Sequence, residues 1–396
     1  MSTLLKDRPF DSAGFGPSIL ASASRGRIIQ NEIPSDRLLA RSMLHDQCPL
    51  TPGVYGWLDS NHQICYVGKS KSLRKRLLSY FAKTPADKKA EQIRRHSSRL
   101  VWEPISDELL ALIREQELIY RWRPDFNTQG QPTRRQPAFV CLSHGPAPNA
   151  FFTRRLTSKA AVAFGPIAGT GQLRAATESL NQVFRLRDCP DKTKFEFNDQ
   201  RQLFANPASA KCIRFELGSC PAPCAGHCSS AGYRGLVEQA TRYLDGSDLS
   251  ILNRLEVEMA VAARECRFER AAALRDHLSN LQWLARRLEN LRAAQQKLNG
   301  VLPIAARNRK TIWLILRGGR LIGSAAQPDQ IDRAAKAIDS LSQTAAASLS
   351  LPNNILEMNL QLILISWFRK NPLQQQQLLS FSSAIQFCEA RIRQAA

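Results

Sequence analysis

Gly53-Val54-Tyr55-Gly56-Trp57-Leu58 and Ile64-Cys65-Tyr66-Val67-Gly68-Lys69 flank the polar pentapeptide Asp59-Ser60-Asn61-His62-Gln63. Val54, Trp57, Ile64, Tyr66 and Val67 make both flanks rich in side chains that suit a pleated surface. The stretch therefore predicts a hairpin with Tyr55 and Tyr66 on adjacent strands. Beyond Gly68 the apolar period changes. Leu73, Leu77 and Phe81 fall four apart among Lys69, Lys71, Arg74, Lys75 and Arg76, the pattern of an amphipathic helix over 70–81 with a cationic face. Lys69 and Arg76, seven apart, are expected to share one side of it.

A chain of 396 residues has room for about two to four modules. Its formal charge of +21 favours a polyanionic partner, because lysines and arginines that neutralise phosphates release counterions. The same charge would suit a ribosome-associated or merely soluble basic protein. No apolar run reaches the ~20 residues of a membrane span, and the longest candidate, Leu362 to Phe368, is interrupted by Ser366. The first residues carry Lys6, Asp7 and Arg8 without the apolar core and cleavage site of a secretion signal. A cytoplasmic location is expected, where ten cysteines read as thiols or metal ligands rather than disulfides.

Downstream, Leu100-Val101-Trp102 predicts a third strand, and Ser106-Asp107-Glu108 a helix start with a cap followed by an acid. Leu109, Leu112, Ile113 and Ile119 supply that helix with a buried stripe, and Pro124 stops it. Glu115 lies one residue outside the stripe, where a charged side chain is ordinarily a surface residue. Cys212-x7-Cys220-x3-Cys224 follows Cys189; the spacing suits a thiolate metal site and unligated thiols equally and does not separate zinc from iron. Leu274, Leu278, Leu281, Leu284, Leu288 and Leu291 keep near-heptad spacing, as in a helical hairpin or coiled coil. Ile312 to Leu316, Arg317-Gly318-Gly319-Arg320 and Leu321-Ile322-Gly323 predict a second hairpin with a glycine turn.

Gly53-Val54-Tyr55 and Tyr66-Val67-Gly68 resemble the GIY-YIG nuclease signature, and the likeness extends from Thr51 to Arg76 in the manner of the UvrC family. Glu115-Gln116-Glu117-Leu118-Ile119 and Arg123-Pro124-Asp125-Phe126-Asn127 are similar to the UvrC segment whose glutamate binds a divalent ion and whose asparagine closes the site. The resemblance implies a catalytic set of Tyr55, Tyr66, Lys69, Arg76, Glu115 and Asn127. Glu115 would hold Mg²⁺ or Mn²⁺, Tyr55 would act as base, and Lys71, Arg74 and Lys75 would contact DNA. A phenol titrates near ~10, so the base assignment requires cationic charge beside Tyr55. Residues 69 to 99 hold eleven Lys or Arg against two acids, which beside such a signature suggests phosphate contacts.

Phe152-Thr153-Arg154-Arg155, Phe164-Gly165-Pro166 and Leu180 to Asp188 are also similar to UvrC. The phrase Cys212 to Cys224 resembles the cysteine motif that holds a [4Fe-4S] cluster in that family, implying Cys189, Cys212, Cys220 and Cys224 as ligands, with His227 and Cys228 near enough to compete. Cys48, Cys65, Cys141, Cys266 and Cys388 read as plain thiols. Phe268-Glu269-Arg270-Ala271-Ala272-Ala273-Leu274-Arg275-Asp276 looks like the UVR motif, the helical pair through which UvrC and UvrB associate. That likeness implies Phe268, Glu269, Leu274, Arg275 and Asp276 as partner-binding residues, with Phe268 as anchor.

The expected fold class is α+β and multidomain. A basic, largely disordered extension would occupy 1–48 and a GIY-YIG nuclease domain with a small antiparallel sheet 49–133. A linker module with the cysteine cluster would follow at 134–232, a UVR-like hairpin at 248–298 and a truncated α/β segment at 300–396. The C-terminal stretch has no set of spaced Asp and His for the second, RNase H-like nuclease of full UvrC, which makes the chain comparable with the Cho nuclease. The function so implied is incision of damaged double-stranded DNA on the 3′ side of a lesion after loading by UvrB, with UvrA upstream and without a membrane or small-molecule substrate. Two other readings fit the same residues: a stand-alone structure-selective or mobile-element nuclease, and a non-catalytic accessory of UvrB or DNA.

Overall fold

In the computed structural model, which describes residues 10–82, 88–127, 136–190, 192–200, 212–306, 310–347, 350–352 and 354–395, order begins earlier than composition suggests. Residues 10–48 are not a disordered extension: they form α1 (Phe10–Ala13), β1 (Ile29–Glu32) and α2 (Arg37–Gln47). The chain continues through β2 (Gly53–Leu58), β3 (Ile64–Ser70), α3 (Leu73–Ser79), α4 (Lys88–Arg95), β4 (Arg99–Pro104) and α5 (Glu108–Trp122). Of the basic stretch Lys83 to Arg99, residues 83–87 lie outside the described residues. The sheet has the order β1-β4-β2-β3 and is antiparallel throughout, with Tyr55 opposite Gly68 and Trp102, and Trp57 opposite Tyr66.

Alternation along the strands sends side chains to two cores. Tyr55, Trp57, Leu100 and Trp102 face α2, α3 and α4, packing with Ala40, Leu44, Leu73, Leu77, Tyr80 and Ile93. Val54, Val67 and Val101 face α5 and meet Leu109, Leu110 and Ile113. A strand buried on both faces carries an uninterrupted run of apolar residues, as β2 does. Asp107 caps α5 by accepting from the amides of Leu109 at 2.7 Å and Leu110 at 3.3 Å. Arg123, in the left-handed region at φ 48°, ends that helix ahead of Pro124.

β1 is ordered by its pairing with β4 and α2 by its packing on the sheet, whereas the loop before them is held by Arg114, whose side chain is fully buried on α5. A guanidinium carries five N–H donors and needs acceptors for each when desolvated. Glu103 accepts at 2.9 Å, Glu117 at 3.1 Å, and the carbonyls of Phe15, Gly16 and Pro17 at 3.3, 3.0 and 3.0 Å. Arg121 donates to the Phe15 carbonyl as well, and Glu117 accepts from the Ile19 amide and the Ser18 hydroxyl. Phe10, Phe15 and Leu20 are buried alongside.

Residues 137–293 form a compact unit of their own. β5 (Ala138–Ser143), β6 (Ala150–Thr153) and β7 (Ala160–Ile167) make an antiparallel sheet of order β6-β5-β7, covered by α6 (Thr170–Val183). The short α7 (Ile213–Glu216) precedes α8 (Ser230–Asp245), α9 (Ser250–Arg264) and the long α10 (Phe268–Lys297). Leu278, Leu281, Leu284 and Leu288 are buried with Leu173, Leu180, Tyr233 and Tyr243 in the core of this unit, and Leu274 packs half-buried against it. The near-heptad leucines thus serve an internal core.

β8 (Gly300–Ala305), β9 (Thr311–Arg317) and β10 (Arg320–Ala326) form a third sheet, with Gly318 and Gly319 at positive φ in the turn. α11 (Ile331–Ala346), α12 (Ile355–Lys370), α13 (Pro372–Gln376) and α14 (Phe381–Ala395) follow. This segment belongs to the same compact unit as residues 1–136. α12 lies against α5 and β10, with Leu360, Leu364 and Phe368 in the core that also holds Leu109 and Ile113. The chain thus divides into two compact units. Among the described residues no helix is long and apolar enough to cross a membrane.

Removing one partner of a buried ion pair leaves the others desolvated and unpaired. Arg114→Ala should therefore lower stability by roughly 3–5 kcal/mol and expose residues 10–24 to proteolysis. Urea unfolding with limited proteolysis checks this; a loss below about 1 kcal/mol would contradict the anchoring role.

Candidate active site

β3 is the last strand of its sheet, and Val67 and Lys69 turn their amides toward its open edge. Both are met by side chains brought from α5 and the segment after it. Asn127, buried, accepts from the Val67 amide and donates to the Val67 carbonyl, each at 2.8 Å. Glu115 accepts from the Lys69 amide at 3.0 Å. An unpaired strand edge is costly to bury, and these contacts satisfy it.

Lys69 is therefore a strand residue, not the first turn of a cationic helix. Gly68, Lys69 and Ser70 continue the ladder opposite Tyr55, Val54 and Gly53, and α3 begins at Leu73. The Lys69 ammonium pairs with Glu108 at 3.2 Å, whereas Arg76 Nε donates to the Tyr55 hydroxyl at 3.1 Å. Leu112, expected in the buried stripe, is only half-buried, and Leu110 and Leu118 are fully buried instead.

Tyr55 is 1 % exposed, and its hydroxyl lies 3.0 Å from that of Tyr80 and its ring 6.1 Å from that of Tyr66. The close approach of strands around this ring requires Gly68, since a Cβ there would lie 2.6 Å from the Tyr55 hydroxyl and ring. Burial holds Tyr55 well above the usual phenol range, with Tyr80 and Tyr66 adding to it and Arg76 opposing. Burial raises Tyr66 in the same direction, with Tyr80 and Glu115 contributing. In the metal-free chain Arg76 alone does not supply the cationic excess that a phenolate base at position 55 requires.

Glu115 is pushed up to about 7 by burial, with Lys69 and its amide pulling the other way. Among the described residues no lysine or arginine forms an ion pair with it. A partly buried carboxylate without a counter-ion is a donor for a hard divalent cation. Its link to the Lys69 amide places it at the edge of the strand that carries Tyr66, not behind the sheet.

Two residues of the site escape sequence reading. Tyr80 joins the Tyr55 hydroxyl and lies under the Arg76 guanidinium, 5.1 Å from its ring centre. Its signal is a tyrosine three residues beyond Leu77 on an apolar face, since a buried phenol needs a hydrogen-bond partner. Glu108 bridges Lys69 and Lys71, the latter at 2.9 Å. Although partial burial opposes it, the two lysines hold Glu108 below the usual carboxylate range. Lys71 is otherwise exposed, Arg74 donates to the Cys48 carbonyl at 2.5 Å, and Lys75 is exposed.

In the other unit, Cys189, Cys212, Cys220, Cys224 and Cys228 lie near enough to influence one another electrostatically. They do not close into a ligand set: among the described residues no three of His, Cys, Asp and Glu are arranged to hold a metal ion. Burial raises Cys220 and Cys224, favouring thiols over thiolates, and raises Cys228 to about 11. His227 stacks on Phe215 at 4.3 Å. The geometry thus gives the expected [4Fe-4S] cluster no support. On α10, Phe268 is 68 % exposed, Glu269, Arg275 and Asp276 are exposed, and Arg275 pairs with Asp276.

Because Glu115 keeps its proton to a higher pH when folded, its contribution to stability is complete below its unfolded value of 4.5. That contribution is lost as pH rises to about 7. In metal-free protein, Glu115→Gln should gain roughly 1–3 kcal/mol on the parent between acid and mildly alkaline pH. Denaturation curves across that interval check it, and a pH-independent difference would mean that Glu115 is not desolvated.

Comparison with known proteins places these features. Residues 51–128 match the UvrC-like GIY-YIG domain and residues 138–243 the middle domain of the UvrC/Cho excinuclease. UvrABC system protein C of Pseudomonas putida (strain W619) is 31% identical over 281 residues, 70% of this chain and 44% of that protein. Its counterpart in Gemmatimonas aurantiaca is 32% identical over 238 residues, 59% and 36% of the two chains. The chain spans less than half the length of these relatives. The magnesium-bound N-terminal endonuclease domain of UvrC from Thermotoga maritima is 32% identical over 22% of this chain and 93% of that domain, with a TM-score of 0.20. With a GIY-YIG endonuclease domain followed by the UvrC/Cho middle domain, the chain belongs to the UvrC family.

Proposed function

We propose that this chain is a metal-dependent DNA endonuclease of nucleotide-excision repair. It hydrolyses one phosphodiester of damaged double-stranded DNA on the 3′ side of the lesion, in the cytoplasm, after recruitment by UvrB. The observation that supports this reading most is Glu115, a carboxylate at the edge of β3 that forms no ion pair among the described residues, beside Tyr66 and a lysine-rich surface.

Glu115 fits Mg²⁺ or Mn²⁺, which accept oxygen ligands and keep several waters. Bound there, the ion would supply a Lewis acid for the charge that develops on the phosphate. Arg76 offers a planar fork and Lys69 a point charge for phosphate oxygens. Arg76 donates to the Tyr55 oxygen, so the Tyr55 proton is left to point at Tyr80 or at the substrate. Tyr55 takes a proton from water only when further positive charge offsets its burial, which ties the base to the loaded site. Asn127 acts on position rather than chemistry, since both ends of its amide hold Val67.

Phe268, exposed with Val257 and Val261, is the anchor proposed for UvrB, flanked by Glu269, Arg275 and Asp276. Leu274, half-buried in its own unit, contributes little to such a contact. The iron–sulfur reading of Cys189, Cys212, Cys220 and Cys224 rests on their sequence phrase alone. Stoichiometric iron in anaerobically purified protein would establish it, and a colourless, iron-free protein would remove it.

Nicking of a lesion-bearing duplex, with and without UvrB and Mg²⁺, tests the function. Metal-dependent cleavage of one strand is expected, abolished by Glu115→Ala with duplex binding retained and lowered about 10²–10⁴-fold by Tyr55→Phe. Undiminished nicking by Glu115→Ala would overturn the assignment, and UvrB-independent nicking would favour a stand-alone nuclease.

A further inference from the structure

Lys69, at the candidate catalytic edge, also lines a cleft of about 400 Å³ whose other walls include Lys71, Glu108, Trp367 and Lys370. One wall is β3 with the start of α5; the other is the last turn of α12, from the far end of the chain. The two walls belong to one compact unit and share a core through Leu109, Leu364 and Phe368. A cleft of this size accommodates a group as large as a nucleotide.

Its charges are not balanced. Glu108 is the single carboxylate among the lining residues and is already shared by Lys69 and Lys71. Lys370 is exposed and has no ion pair or hydrogen bond among the described residues, so three ammonium groups face one carboxylate. Trp367 is fixed in the wall by its Nε1 donating to Gln374 at 2.5 Å. A lysine in the last turn of a helix is favoured by the helix dipole, which explains its tolerance there. It does not explain why that lysine borders a cleft that begins at Lys69.

We propose that Lys370, across the cleft from Lys71, is a phosphate seat for the DNA strand flanking the scissile bond. Helix α12, from the segment that follows the third sheet, thereby completes the substrate groove of the N-terminal nuclease domain. This rests on the endonuclease reading above and names a binding residue that the nuclease motifs do not contain. The strand would leave the Glu115 edge past Lys69 and run between Lys71 and Lys370, its bases free to stack against the Trp367 side of the cleft.

The test uses the full chain and a fluorescent lesion-bearing duplex, with affinity measured from about 50 to 200 mM salt. Lys370→Ala should weaken binding several-fold and reduce the slope of log affinity against log salt by about 0.9, the share of one phosphate. Lys370→Arg should restore both, and Lys370→Ala should leave the unfolding midpoint unchanged because the side chain is exposed. In nicking assays the loss should appear in KM with kcat kept. If Lys71→Ala lowers affinity and slope while Lys370→Ala changes neither, the nuclease reading stands and the α12 seat is wrong. If the parent chain neither binds nor nicks the duplex, both fall.

Discussion

The open edge of β3 is the constraint on which the active-site half depends. An edge strand that carries Tyr66, Gly68 and Lys69 must present unpaired amides somewhere, and here Val67 and Lys69 present them to Asn127 and Glu115. Burying those amides without partners would cost about 1–3 kcal/mol each. Closing the edge and delivering a carboxylate to the phenols are therefore one event. α5 is held in position to do this by Asp107 at its start, by the sheet face of Val54, Val67 and Val101, and by the Arg114 network that ties the N-terminal segment across it.

Burial sets the chemistry of the site in opposing ways. It keeps Glu115 near the point where proton and cation compete, and it keeps Tyr55 protonated against the pull of a single guanidinium. A phenol so held takes a proton from water only when further positive charge is placed beside it. The lysines on the rim of the site are partly neutralised by Glu108, which reduces their repulsion in the free chain without removing the net positive field.

The hairpin was legible because Val54, Trp57, Ile64 and Val67 favour a pleated surface on either side of a polar turn, and Asp59 indeed accepts from Asn61 and Gln63 there. Local spacing places Lys69 in a helix because it sees Leu73 and Leu77 but not the register with Val54 that keeps the strand extended. Residues 10–48 have no local period, and their order comes from distant partners: Phe15, Gly16 and Pro17 supply acceptors to Arg114, β1 pairs with β4, and Ala40 and Leu44 enter the core of the sheet. Glu115 and Asn127 stand out only through the family resemblance, since nothing in their spacing reveals a shared strand edge. The leucines after Leu274 show the same limit: a heptad pattern specifies an apolar seam but not whether another chain or the same one fills it.

The central claim is that Glu115 at the β3 edge holds the divalent ion beside Tyr55 and Tyr66. Anomalous diffraction from crystals soaked in Mn²⁺ tests it most directly. The account predicts a peak at about 2.1 Å from a Glu115 carboxylate oxygen, absent from Glu115→Ala crystals. A Mn²⁺ peak that lies elsewhere and persists in Glu115→Ala would contradict it.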